Sequence, residues 1–108
     1  AVGYGNLFIA STANPRVRVR VKFLATLFQA AGVLSMDVVV GDGATVGDLL
    51  AELRRVKPRA VDLVVNGDSI RNGFVVVVNG RSIDFLEGLR TVLREGDEVA
   101  IFPSLVLA

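Results

Sequence analysis

The chain has 108 residues, 12 of them basic and 11 acidic, a net charge of +1 and 52% hydrophobic residues. That length fits a single domain with one core, and the apolar fraction excludes a chain disordered throughout. Cysteine and histidine are both missing from the sequence. Their absence removes disulfides, thiolate nucleophiles and sulfur-ligated metals, together with the commonest general base and the commonest metal ligand.

A Ser-His-Asp triad therefore cannot be built, and a Ser-Lys pair would have to use Lys22 or Lys57, neither of which has a local signature. The expectation is a protein with no catalytic residues, no metal site and no cofactor. The longest apolar runs fall short of the roughly 20 residues a bilayer span requires. A charge this near zero gives the whole molecule no strong pull towards nucleic acid or acidic membranes. Residues 1–15 lack the basic segment of a secretory signal. They are read as a flexible N-terminal extension to a domain at 16–108, and the expected location is cytoplasmic.

Residues 16–23 alternate strictly. Val17, Val19, Val21 and Phe23 fall on one face and Arg16, Arg18, Arg20 and Lys22 on the other, the period of a half-buried strand. Residues 24–32 read as a loop or short helical turn closed by Gly32. A second strand is predicted over 35–40, stopped by Gly41-Asp42-Gly43.

Thr45 then opens the main helix, with Asp48 three residues on as in a capping box. Val46, Leu49, Leu50, Leu53 and Val56 recur at helical spacing, and Pro58 ends the run. The glycines of Gly41-Asp-Gly-Ala-Thr-Val-Gly47 are read as turn and cap rather than a phosphate loop, since Asp42 and Asp48 would repel phosphate.

Residues 61–65 are predicted to form a short strand before the turn-rich segment 66–73. The β-branched run Phe74-Val-Val-Val-Val78 reads as a strand covered on both faces or central in a sheet. Asn79-Gly80 is a strong hairpin signal, because a type I′ turn needs positive φ at both positions. Residues 81–83 begin the return arm, 84–93 form a compact connection, and Gly96-Asp97 leads into a last strand at 98–102 ended by Pro103. The order gives an α+β fold, a mixed sheet of four to five strands packed on one main helix.

That order, with its helix after the first hairpin, resembles the β-grasp fold of ubiquitin. Gly73-Phe-Val-Val-Val-Val-Asn-Gly-Arg81 followed by Gly96-Asp-Glu-Val-Ala-Ile-Phe-Pro103 resembles the small sulfur carriers of the MoaD/ThiS family, above all the small subunit of molybdopterin synthase. Gly43-Ala-Thr-Val-Gly-Asp-Leu-Leu50 is similar to the helix start of that family.

The resemblance implies a carrier in molybdenum cofactor biosynthesis. An E1-like adenylating enzyme activates its terminal carboxylate with ATP, sulfur replaces the adenylate, and the thiocarboxylate is delivered to a large-subunit partner. The family's terminal Gly-Gly threads a narrow channel in which any Cβ would clash. Here the chain reads Ser104-Leu105-Val106-Leu107-Ala108, so Leu107 and Ala108 stand at the two glycine positions. The alternative is a non-catalytic ubiquitin-like interaction module or a modifier-like protein.

In a β-grasp the first and last strands lie side by side in parallel. Val99 and Ile101 are then expected to face the helix, with Ala100 and Phe102 outward beside the arginines. Arg18, Arg20, Ala100, Phe102 and Pro103 are the candidate partner-binding residues, continued by the tail from Ser104 to Ala108. Against this stand a plain solvated strand face and a nucleic-acid stripe, the latter disfavoured by the charge balance and the lack of interleaved aromatics. Leu105, Val106 and Leu107 could extend the last strand, cover an apolar groove or drive self-association.

Overall fold

The computed structural model describes residues 16–104 and the backbone of Leu7–Ile9. Among the described residues, eight strands and three helices succeed one another in the order β1 (Leu7–Ile9), β2 (Arg16–Phe23), α1 (Thr26–Ala31), β3 (Ser35–Gly41), α2 (Val46–Val56), α3 (Pro58–Val64), β4 (Val65–Asn66), β5 (Ser69–Ile70), β6 (Phe74–Val78), β7 (Arg81–Ser82) and β8 (Glu98–Pro103). The main sheet runs β1-β3-β2-β8-β6-β7, and β4 and β5 form a separate small hairpin.

At the centre, β2 pairs antiparallel with β3 and parallel with β8, and β8 pairs antiparallel with β6. The expected α+β fold and mixed sheet are present. The strand count reaches six because a three-residue β1 and a two-residue β7 are added at the edges. Leu7–Ile9, expected within a flexible extension, pair in parallel with Asp37, Val38 and Val39. The rest of that extension lies outside the described residues.

The alternation in β2 sorts its side chains as expected. Val19, Val21 and Phe23 are at most 1% exposed, and Arg16, Arg18 and Arg20 face solvent. The buried row continues through Met36, Val38 and Val40 of β3, Val99 and Ile101 of β8, and Val76 and Val78 of β6. Leu49, Leu50 and Leu53 of α2 close over it, joined by Leu27 of α1 and by Val61 and Val64 of α3. Each large apolar side chain withdrawn from water in this way contributes about 1.5–3 kcal/mol.

The capping box of α2 forms on both sides. Asp48 N–H donates to the Thr45 hydroxyl at 3.1 Å, and Thr45 N–H donates to the Asp48 carboxylate at 3.0 Å. Gly47, in the first turn, lets α2 approach the chain at 88–90, where a Cβ would meet the Leu89 carbonyl oxygen at 3.2 Å. Backbone bonds from Val46 N–H to the Thr91 carbonyl (2.9 Å) and from Leu93 N–H to the Ala44 carbonyl (2.8 Å) fix that approach. The type I′ hairpin is present too, with φ of 52° at Asn79 and 84° at Gly80.

Three expectations need correction. The segment 61–65 is not a strand: α3 runs through Val64, and only Val65 turns extended. Pro58 ends α2 and also opens α3, because a proline at the first helical position lacks only an N–H that would be unpaired there anyway. Ala60, Val61 and Val64 then reach the core at helical spacing.

Val56, the last residue of α2 before the C-cap Lys57, is 39% exposed rather than part of the core stripe. Finally, β6 is neither central nor covered on both faces. It lies next to the edge, with Val76 and Val78 buried and Val75 and Val77 half-exposed.

Candidate functional site

The outer face of the sheet carries Arg18, Arg20, Ala100 and Phe102 of the residues singled out from the sequence, whereas Pro103, paired with Phe74, falls in the inward row of Val99 and Ile101; strand register sets their neighbours. Phe102 pairs with Val75, and Ala100 sits between Val77 and Lys22. Arg20 lies beside Glu98 on one side and Asp37 on the other, and Arg18 faces Val39. None of Val75, Val77, Ala100 and Phe102 belongs to the core cluster beneath the helices. Together they form an apolar patch on the far side, running along β6 and β8 to the point where β8 ends.

Phe102 and the arginines are therefore on one face but not in one cluster. Arg20 is in the row of Glu98, four residues from Phe102 along the strand, roughly 13 Å at 3.3 Å per residue. The expected outward Ala100 is on this face yet only 9% exposed, because its two strand neighbours roof it. Phe102 and Pro103 are half-buried.

The basic row is largely neutralised where it nears the apolar patch. The Arg20 guanidinium donates to Asp37 at 3.0 Å, and Lys22 pairs with Glu98 at 2.9 Å. The hydrogen bond to Asp37, reinforced by its charge, pushes the Arg20 pKa above its ordinary value. Arg18 donates its backbone N–H to the Glu95 carboxylate at 2.9 Å, and its carbonyl accepts from Gly96 N–H at 2.8 Å, while its side chain stays exposed. A face of alternating, paired charge does not present the uniform positive potential that a nucleic-acid backbone requires.

The root of the tail is pinned. Pro103 pairs with Phe74, and Ser104 N–H donates to the Gly73 carbonyl at 2.7 Å, one step beyond the β6–β8 ladder. Leu105, Val106, Leu107 and Ala108 lie outside the described residues.

Two features of the surface escape a reading of the sequence. Val75 and Val77 belong to the outer patch, but an unbroken valine run hides which of its members point outward. Phe85, in a short 3-10 turn after β7, is 82% exposed, and nothing in its local sequence marks it as a surface residue. Among the described residues no group of acidic side chains could hold a metal ion, and no helix is long and apolar enough to cross a membrane.

Comparison with known proteins places this architecture. The family model of the ThiS family matches residues 21–105, from the last three residues of β2 to the first residue beyond Ser104. The chain belongs to the ThiS family. It is 31% identical over 87 residues to the small archaeal modifier protein 3 of Haloferax volcanii, covering 81% of this chain and 95% of that protein. It is 32% identical over 88 residues to an Archaeoglobus fulgidus protein named for a sulfur-carrier role, covering 81% and 94%.

The solution structure of the Haloferax volcanii HVO 2177 protein superposes with a TM-score of 0.77 at 28% identity, over 91% of this chain and 92% of that one. This ThiS-family chain is thus a ubiquitin-like β-grasp protein of the sulfur-carrier and small-modifier group. The matched region takes in the end of β2 and all of β3, β6 and β8, and stops where the tail begins.

Proposed function

We propose that the chain works as a non-catalytic carrier-type protein, docked by the outer face of its sheet and served by the tail that leaves Ser104. The observation that carries this reading is the continuity of the two. The apolar patch of Val75, Val77, Ala100 and Phe102 runs along β6 and β8 into Pro103 and the pinned Ser104. A partner seated on that patch would receive the tail directly. The patch has the composition of an interface core, an aromatic residue among aliphatic ones, with the Lys22–Glu98 pair at its edge and Arg20 and Arg18 further along the same face.

In this reading the first partner is an E1-like adenylating enzyme and the second a protein like the molybdopterin synthase large subunit. Both would use Phe102 as the anchor, with Pro103 where the tail leaves β8 and Arg18 and Arg20 as charged contacts further along the same face. The chemistry falls on the terminal carboxylate, which attacks the α-phosphate of ATP and expels pyrophosphate. Sulfur then displaces AMP from the acyl adenylate. In a chain terminating at Leu107-Ala108, a branched side chain would occupy a channel that accepts only backbone, and such a terminus would resist adenylation. A second reading, a small protein modifier, is favoured by the relative so named and calls on the same docking face.

The test is affinity for the adenylating enzyme of the same cell, measured by calorimetry. Phe102→Ala is expected to weaken binding about tenfold or more, the scale of an interface anchor, and Arg18→Ala to change it little. Undiminished binding by Phe102→Ala would remove the patch from the docking face.

A further inference from the structure

Phe85 is 82% exposed, the most exposed of the large apolar side chains among the described residues. The chain on either side of it is fixed. Ile83 is buried, and Leu86 is half-buried against the core. The Ser82 hydroxyl accepts from Asp84 N–H at 3.2 Å, and Leu86 N–H donates to the Ile83 carbonyl at 2.9 Å. Glu87 N–H donates to the Thr91 hydroxyl at 3.0 Å. With its neighbours held inward, Phe85 is held outward on a turn that leaves it little freedom to withdraw. A preorganised side chain of this kind loses little entropy when it binds.

Four residues further along, Leu89 lines an apolar groove of about 360 Å³ between α2, α3 and the turn that joins β4 to β5. Leu50 and Val61, buried, and Val65 and Leu89, half-buried, supply its apolar lining, with Arg54 and Asp68 among its polar residues. This volume is ample for a phenylalanine side chain.

The charges around knob and groove also match. Arg54 holds Asp62 through one guanidinium nitrogen at 2.7 Å, and its side chain is 58% exposed. A guanidinium has five N–H donors, so it can take a second carboxylate. Phe85 carries Asp84 beside it and Glu87 two residues on, both exposed, and Arg90 of the same connection is a counterpart for Asp68. Knob and groove share one short connection, so a single two-fold axis can bring each knob to the other copy's groove.

We propose that two copies of this chain associate by this exchange: Phe85 of each enters the groove of the other beside Leu89 and Val65, and its flanking carboxylates meet Arg54. An aromatic side chain buries about 150–250 Å². Two of them fall well short of the roughly 1,200 Å² of a stable interface, so the pair forms reversibly and at high concentration. It uses the helical side of the fold, and neither the outer face of the sheet nor the tail.

The experiment is sedimentation equilibrium of the full chain over a concentration series, with two variants. The wild type is expected to show a monomer–dimer equilibrium, weakened about tenfold or more by Phe85→Ser. That substitution removes a side chain already in water and leaves the fold unchanged. Ala51→Glu, at an exposed position of α2 that lines the groove, is expected to weaken the dimer as well. NMR then separates the two halves of the contact. Isotope-labelled Phe85→Ser chain, whose groove is intact, is titrated with unlabelled Ala51→Glu chain, whose knob is intact. Amide shifts are expected at residues 47–54, 61–68 and 89 of the labelled chain, and none when the added chain carries both substitutions. A wild type that stays monomeric to its solubility limit would overturn the proposal. So would a dimer that Phe85→Ser leaves intact, or titration shifts confined to the outer face of the sheet, since the copies would then be meeting elsewhere.

Discussion

The two faces of the sheet are built from alternate residues of the same strands and are held by different physics. On the inner face Phe23, Val21 and Val19 lie in a continuous apolar core at most 1% exposed. On the outer face Lys22, Arg20 and Arg18 are separated from them by one peptide bond each and meet water, carboxylates and a small apolar patch. Stability resides in the first face and, under the proposed function, recognition in the second. A one-residue slip in the register of β2 would exchange them, and its antiparallel pairing with β3 over seven residue pairs holds that register.

Mutation can test how complete this division is. The largest effect belongs to Phe23→Ala, which empties a fully buried aromatic site and is expected to cost about 3–5 kcal/mol in denaturant unfolding. That is a large part of the total stability of a domain this size. A loss below about 1 kcal/mol would mean that the inner face is packed more loosely than its burial indicates.

The smallest effect belongs to Arg20→Ala. Its pair with Asp37 is solvent-exposed, and the denaturation midpoint should stay within experimental scatter, most clearly at high salt. The sign of its linkage agrees. The raised Arg20 pKa favours the charged form, so whatever the pair contributes is intact throughout the neutral range. It is lost only as pH rises through the strongly alkaline region where a guanidinium deprotonates. A clear destabilisation by Arg20→Ala at neutral pH would show that the outer face also holds the fold together.

Much of the inner face is legible in the sequence, because strict alternation over 16–23 leaves one arrangement of side chains. The cap at Thr45 and the Asn79-Gly80 turn are legible for a similar reason: each residue type meets a backbone need that few others meet. Legibility fails where one residue type serves two purposes. Pro58 reads as a terminator and is also a helix start, which conceals α3. The valine run of β6 has no polar residues to mark its outer side, and this hides Val75 and Val77 from the candidate site.

The strained start of α1 is equally invisible. Ala25 has φ of 55° and ψ of −130°, in a tight turn closed by Leu27 N–H to the Leu24 carbonyl at 3.1 Å. A non-glycine residue held there depends on its surroundings rather than on its own preference. The separation of Phe102 from Arg20 is likewise a matter of register, which no single-strand pattern contains.

The most direct test of a carrier-type docking body whose tail resists charging is intact-mass spectrometry. The 108-residue chain and its Leu107→Gly/Ala108→Gly variant would each be incubated with the adenylating enzyme of the same cell, ATP and a sulfur donor. The expected result is that only the glycine variant gains the mass of one oxygen-to-sulfur exchange. The same gain in the unaltered chain would contradict the steric exclusion of Leu107, and no gain in either would contradict docking by the carrier face.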